Sequence, residues 1–185
     1  MIKVLGGEKK GQSIFSIEGN DLRPTSGKVK EALFNILGDK IRNAHFLDLF
    51  AGSGSVGIEA LSRGANHSTF VEKDKKHFQL LKNNIERVNY QDRSTLYCVD
   101  AVKLRPINPL YDIVFIDPPY ASGILEKILP GLGGSVMIRK SGLLIVEHFK
   151  KKALEPVYGF LLLKRHYSYG DTLLSLYQRN SEWAE

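Results

Sequence analysis

The chain is predicted to fold as an α/β protein, a doubly wound and mostly parallel sheet that ends in an antiparallel hairpin, with a small β-hairpin at the N-terminus. Three observations carry this. Between residues 45 and 147, short apolar runs of strand length alternate with segments of helical period, the pattern of parallel strands joined by helical crossovers. A glycine-rich stretch, Gly52-Ser53-Gly54-Ser55-Val56-Gly57, joins the first of these strands to the first of these helices. After residue 157 the alternation stops, and two β-rich runs follow each other across Tyr169-Gly170-Asp171 with no helix between them, which demands an antiparallel pair.

Taken in order, residues 2–5 and 12–17 flank Gly6-Gly7-Glu8-Lys9-Lys10-Gly11 and read as a hairpin. Residues 20–24 hold Asn, Asp and Pro and read as a loop. Val29, Leu33, Ile36 and Leu37 recur at helical spacing, so 27–40 is expected to be an amphipathic helix. Strands are expected at 45–50, 68–72, 94–99, 111–116 and 142–147. Helices are expected at 55–63 and 74–88, with a short turn near 100–104. A further helix is expected at 122–138, broken around Pro130 and Gly133-Gly134. The closing hairpin takes 158–168 and 171–179. A length of 185 residues suits one domain over 1–185. Within it, 1–19 is the hairpin extension, 20–40 the loop and helix, and 45–179 the α/β core.

Composition narrows the setting. Hydrophobic content of 43% and charged content of 25% are those of a soluble globular chain. The lone Cys98 has no partner for an internal disulfide, and no Cys/His group has metal-ligand spacing. The apolar runs are too short to span a bilayer and the N-terminus lacks a signal peptide, so a cytoplasmic protein is expected, with no metal and no membrane partner. The net charge of +6 suits a polyanion. It is concentrated at the two ends of the chain, +3 over residues 1–47 and +5 over 139–166. Lys9, Lys10, Lys150, Lys151 and Lys152 are the candidate phosphate contacts, although a solvated lysine-rich surface explains the same charge.

The glycine stretch is the first candidate site. Glycines there let the backbone turn sharply and approach a ligand. The spacing also satisfies the dinucleotide pattern G-x-G-x-x-G, and Glu72 lies where a nicotinamide enzyme binds its ribose. The glycines alone therefore leave the cofactor open. Asp48, inside the strand end where such enzymes keep an apolar residue, favours another cofactor. Its carboxylate can accept from loop amides or meet an ammonium. Glu72, directly after the apolar run, has two oxygens for two ribose hydroxyls, with Asp74 as the competing carboxylate. Asp100 follows the third strand and can accept from an adenine amino group. Phe50, Ala51, Gly52, Ser53, Gly54, Lys73 and Ala101 complete this candidate cofactor set, which also takes in Asp117.

The second site is Asp117-Pro118-Pro119-Tyr120, directly after the strand Tyr111-Asp112-Ile113-Val114-Phe115-Ile116. Ligands bind outside the carboxyl ends of such strands. Two prolines there supply no N–H donors and fix φ, which aims the Pro118 carbonyl. An amine conjugated to a ring is a feeble nucleophile. The Asp117 carboxylate and Pro118 carbonyl can hold its two protons and turn its lone pair towards an electrophilic methyl group. Tyr120 offers a flat face for stacking, worth about 1–3 kcal/mol per base in single-stranded complexes. Asp117, Pro118 and Tyr120 are thus the candidate catalytic residues of methyl transfer from S-adenosylmethionine to an exocyclic amine. Hydride transfer explains none of this tetrapeptide. The fold expectation then becomes the class I methyltransferase variant of the Rossmann sheet.

Beyond these motifs the chain resembles the bacterial 16S rRNA (guanine(966)-N2)-methyltransferase family over almost its whole length. The resemblance rests on Val4-Leu5-Gly6-Gly7, Leu22-Arg23-Pro24-Thr25, Val29 to Asn35, Leu47 to Gly54 with Gly57, Glu59 to Ala65, Val71-Glu72, Phe115 to Tyr120 and Leu176-Tyr177-Gln178-Arg179. It implies methylation of guanine N2 in the 16S rRNA of an assembling 30S subunit by a monomer, with S-adenosylmethionine as donor. It also implies that Arg23 and Thr25 help close over the cofactor and that the N-terminal hairpin assists RNA docking. The chain departs from the family in having Lys30 for the usual Arg and a hairpin poorer in arginine, which loses the bidentate fork. Rival readings are a DNA adenine-N6 or cytosine-N4 methyltransferase, which shares the tetrapeptide but normally carries a recognition domain, and a protein-glutamine methyltransferase, which prefers Asn at position 117. An NAD-dependent oxidoreductase would need catalytic groups that the scattered histidines do not supply. An RNA-binding protein with a vestigial methyltransferase fold would leave the loop and the tetrapeptide unexplained.

Overall fold

The computed structural model describes residues 1–16, 26–104, 110–119 and 123–180. These fall into two compact units, Met1–Ala101 and Val102–Glu185. Among the described residues no helix is long and apolar enough to cross a membrane.

The first unit opens with the expected hairpin, β1 (Ile2–Lys3) paired antiparallel with β2 (Ser13–Ile14). Helix α1 (Gly27–Leu37) starts at Ser26, whose hydroxyl accepts from the Val29 amide, and buries Val29, Leu33, Phe34 and Leu37. It is shorter than the predicted 27–40, because Gly38 at φ 51° leaves the helical region and a 3-10 turn takes over to Ile41. Three parallel strands follow in the spatial order β5-β4-β3: β3 (His45–Asp48), β4 (His67–Val71) and β5 (Ser94–Tyr97). Helix α2 (Ser55–Ser62) crosses from β3 to β4, and α3 (Lys75–Arg87) crosses from β4 to β5. Both connections are those the alternation predicts. Nearly all of α2 is buried. Only one stripe of α3 is, with Leu81, Asn84 and Ile85 inward.

The hairpin is fastened to this unit by polar contacts spread along its length. Leu5 N donates to Glu59 Oε2 at 2.8 Å, Glu8 N to the Ser62 carbonyl at 2.8 Å and Lys9 N to Ser62 Oγ at 3.0 Å. Asn84, completely buried, accepts from Phe15 N at 2.8 Å and donates from Nδ2 to the carbonyls of Phe15 and Ser53. That one amide joins the end of the hairpin to the glycine loop. A buried Asn with three such bonds is satisfied, so its burial costs little.

The second unit holds five strands in the order β6-β7-β10-β9-β8. Strands β6 (Tyr111–Ile116) and β7 (Ile138–Phe149) are parallel, joined by α4 (Ile124–Gly133). The predicted closing hairpin is β9 (Leu161–Tyr169) and β10 (Thr172–Arg179), with the two-residue β8 (Val157–Tyr158) added outside β9. Strand β10 also pairs antiparallel with β7, Leu174 opposite Glu147 and Ser175 opposite Val146.

In this unit α4 and β7 depart furthest from the expected boundaries. Helix α4 runs through Pro130 and stops at Gly133, so of the break expected around Pro130 and Gly133-Gly134 within 122–138 the helix ends at the glycines and not at the proline. A proline seven residues into a helix forfeits one hydrogen bond, and the buried Leu125, Ile128, Leu129 and Leu132 offset the loss. Strand β7 in turn begins at Ile138, four residues before the predicted 142. The register shifts between Tyr111 and Ile113, and Ser141 at φ 64° makes an irregularity that reads as loop. The terminal Leu176-Tyr177-Gln178-Arg179 is a packing motif. Tyr177 donates to the Glu155 carbonyl at 2.7 Å, and buried Arg179 donates to the Ile138 carbonyl and lies over the Phe160 ring.

Candidate active site

In the first unit three carboxylates stand at the carboxyl ends of three adjacent parallel strands: Asp48 closes β3, Glu72 directly follows β4, and Asp100 lies three residues past β5. Asp48 is buried and accepts from Gly57 N at 3.3 Å, in the first turn of α2. It therefore braces the loop between them, Leu49 to Gly54. The loop is further held by Ala51 N to the Val71 carbonyl at 3.0 Å and Gly54 N to the Ala51 carbonyl at 2.7 Å.

Two glycines of this loop are required for different reasons. Gly54 caps α2 at φ 81°, a left-handed conformation that costs other residues energy. Gly57 is a packing glycine. A Cβ there would lie 2.2 Å from the Phe70 ring, so the helix reaches β4 only without a side chain.

Glu72 and Asp74 make different contacts. Glu72 Oε2 accepts from Gly52 N at 2.9 Å and its Oε1 from Asp74 N at 2.8 Å, so it reaches into the glycine loop. Asp74 is the N-cap of α3, accepting from Lys76 N and His77 N at 2.9 Å each, and those amides hold its carboxyl below the usual range. The structure thus brings Asp48, Gly52, Gly57 and Glu72 into one bonded cluster. Phe50 is half-buried, Ala51 and Ser53 are buried, Lys73 is exposed, Asp100 is half-buried and Ala101 is buried. Arg23 and Thr25 lie outside the described residues.

In the second unit Asp117 is half-buried at the end of β6, Pro118 is buried and Pro119 is exposed. Tyr120 lies outside the described residues. Pro118 and Pro119 line a small pocket shared with Ile124, Glu147, His148 and Phe149. Glu147 and His148, at 3% and 1% exposure, are among the most enclosed polar groups of the unit. His148 Nε2 lies 2.6 Å from Ser175 Oγ, which is 2.8 Å from His166 Nδ1; burial holds the His148 imidazole below its ordinary pKa. Sequence reading passed over Glu147. The signal was present, since Glu147 follows the apolar run Leu143 to Val146 just as Glu72 follows Phe70-Val71.

The candidate basic contacts separate. Lys10, Lys150 and Lys151 are exposed. Lys9 is half-buried with its ammonium 5.6 Å from the centre of the Tyr90 ring, and Lys152 is paired with Glu126. Lys30, where the family usually has Arg, belongs to a buried network: its ammonium is 3.3 Å from Glu59, whose other oxygen takes Arg63 Nε at 2.8 Å. Lys30 also donates to Ser55 Oγ at 3.0 Å and to the Lys3 carbonyl at 3.3 Å. Its role is to fasten α1, α2 and the hairpin together.

Comparison with known proteins places this geometry. The family model described as "Conserved hypothetical protein 95" matches residues 2–178. A curated relative from Buchnera aphidicola (subsp. Acyrthosiphon pisum), "Ribosomal RNA small subunit methyltransferase D", is 37% identical over 169 residues, covering 89% of this chain and 86% of its own. An Escherichia coli structure described as "Putative methyltransferase yhhF" superposes with a TM-score of 0.86 at 33% identity, covering 98% of this chain and 99% of that one. An RNA methyltransferase from Salinibacter ruber in complex with S-adenosyl-L-homocysteine shares the fold, with a TM-score of 0.64 at 15% identity over 88% of this chain and 97% of that one. The chain therefore belongs to the Conserved hypothetical protein 95 family and is a relative of the ribosomal RNA small subunit methyltransferase D proteins.

Proposed function

We propose that this protein transfers a methyl group from S-adenosylmethionine to the exocyclic N2 of a guanine in 16S rRNA, guanine 966 by family resemblance, during small-subunit assembly. The observation that carries the reading is the joint presence of a braced glycine loop, Glu72 bonded to that loop, and Asp117-Pro118-Pro119 at a strand end beside a pocket. The family relationship to a ribosomal RNA small subunit methyltransferase D supports rRNA as the substrate class.

The residues of the first unit fit the cofactor. Glu72 has a lone pair left on each oxygen for the ribose hydroxyls. The positive end of the α2 dipole suits the carboxylate end of the molecule. Asp100 serves the adenine amino group and Asp48 keeps the loop in shape, while Arg23 and Thr25 are the further cofactor contacts that the family resemblance implies. When bound, S-adenosylmethionine supplies an electrophilic methyl group on a sulfonium. Asp117 and the Pro118 carbonyl accept hydrogen bonds from the two N2–H groups of the guanine and hold its lone pair in line, while Tyr120 supplies the stacking face. As the new N–C bond forms, the methyl–sulfur bond would break with its electron pair left on sulfur, and Asp117 takes up the one N2 proton that leaves. Lys10, Lys150 and Lys151 contribute phosphate contacts.

Incubating the protein with labelled S-adenosylmethionine and undermethylated small subunits, then digesting the rRNA for mass spectrometry, tests the reading. One N2-methylguanine is expected. Asp117→Ala should lose turnover by at least about 100-fold, the scale of a lost transition-state contact, while still binding S-adenosylhomocysteine. No incorporation into rRNA, or near-normal activity of the variant, would sink the assignment.

A further inference from the structure

We propose that Glu147 is a specificity residue for the base, accepting the ring N1–H of guanine beside the N2 amine held by Asp117; this rests on the guanine reading above. Strands β6 and β7 are parallel and in register up to Ile116 opposite Val146. The next residue on each chain is a carboxylate, Asp117 on one and Glu147 on the other. Adjacent strands run about 4.8 Å apart, so two acidic residues stand side by side at the carboxyl mouth of the sheet, where ligands of such sheets bind. Glu147 lines the same pocket as Pro118, Pro119 and Phe149.

The chemistry of the bases then decides what a carboxylate at this place can read. An ionised carboxylate only accepts hydrogen bonds. Guanine carries N1–H next to its N2 amine, so both positions are donors and match two adjacent acceptors. Adenine beside N6 and cytosine beside N4 present a bare ring nitrogen, an acceptor. Glu147 facing that nitrogen would set acceptor against acceptor in a place remote from water. Such a mismatch in a site built for a donor discriminates strongly. The pair Asp117–Glu147 thus favours guanine N2 over the adenine-N6 and cytosine-N4 amines that share the tetrapeptide chemistry.

The test uses the full-length protein and an rRNA segment containing the guanine that wild type methylates, with that position either guanine or 2-aminopurine. The analogue keeps the 2-amino group and lacks N1–H. Wild type should prefer guanine by roughly 10- to 100-fold in kcat/KM, the loss expected when one buried hydrogen bond to a charged group is removed. Glu147→Gln, whose amide can donate to a bare nitrogen, should lower that preference to within about threefold, with S-adenosylhomocysteine affinity unchanged. Equal wild-type rates on the two substrates overturn the inference without reference to any variant. So does a folded Glu147→Gln protein that keeps the wild-type preference. If wild type methylates no guanine at all, the functional reading itself fails first and the inference falls with it.

Discussion

Replacing Glu59 by Gln perturbs the charge balance of the first unit and little else. The Glu59 side chain has no solvent exposure and takes Leu5 N and Lys30 Nζ on Oε2 and Arg63 Nε on Oε1. Gln keeps the volume and can still accept from Leu5 N. It leaves two cations without a counter-charge. Arg63 is 22% exposed and water reaches it, so its share is small. Lys30 is 4% exposed and dominates. Breaking a buried pair from one side costs about 3–5 kcal/mol. Lys30 has an escape, because burial already pushes its ammonium below the ordinary lysine pKa and Glu59 is what draws it back up. Losing the proton caps the cost, so about 3 kcal/mol is expected. With a urea m-value of about 2 kcal/mol/M, the midpoint should fall by about 1.5 M. The pH dependence has a definite sign. Below the unfolded lysine pKa the unfolded chain binds more protons at Lys30 than the native one does, so stability rises with pH. That rise is steeper without Glu59, and the gap to wild type should narrow between pH 7 and 9.5. Lys30→Met should cost less, because Glu59 keeps Arg63. The double variant should be more stable than the sum of the two single costs by about 2 kcal/mol. A Glu59→Gln cost below about 1 kcal/mol, constant with pH, would refute the argument.

Two further outcomes concern the site. Glu72→Ala should weaken S-adenosylhomocysteine binding by roughly 10- to 100-fold in titration calorimetry, the scale of lost hydrogen bonds to a charged group. Unchanged affinity would remove Glu72 from the cofactor set. Lys150→Ala/Lys151→Ala should lower the slope of log K for the rRNA segment against log salt by about 0.7 per lysine, as for single-stranded contacts. Lys152→Ala should alter that slope less, since Lys152 is paired with Glu126. The reverse order would place the RNA elsewhere.

Much of the architecture was legible because the local signals agreed with one another. The parallel crossovers around α2 and α3 and the hairpin after Gly159 follow from periodicity alone. Asp48, Glu72 and Asp117 could be picked out as carboxylates at the ends of apolar strands. The errors arose where tertiary packing outweighed propensity. Pro130 should break a helix, but the apolar face of α4 keeps it inside one. Arg139 to Ser141 falls between the expected helix and strand and reads as a loop, but strand β7 runs through it. Lys30 was noted only as a departure from a family pattern, although it is a buried counter-ion.

The sequence by itself determined the α/β class, the order of the elements, the glycine loop and the place of the Asp117-Pro118-Pro119-Tyr120 tetrapeptide directly after an apolar strand. These depend on residue types at short spacing, where backbone geometry couples neighbours directly. The tertiary structure decided which polar groups share an environment. It separated Glu72 from Asp74, one bonded to the loop and the other capping a helix, though two residues apart in the chain. It joined Lys30 to Glu59 and Asn84 to Phe15, pairs 29 and 69 positions apart. It set Glu147 beside the end of β6, 30 residues from Asp117. Burial and charge act through space, so no local pattern in the chain records those pairings.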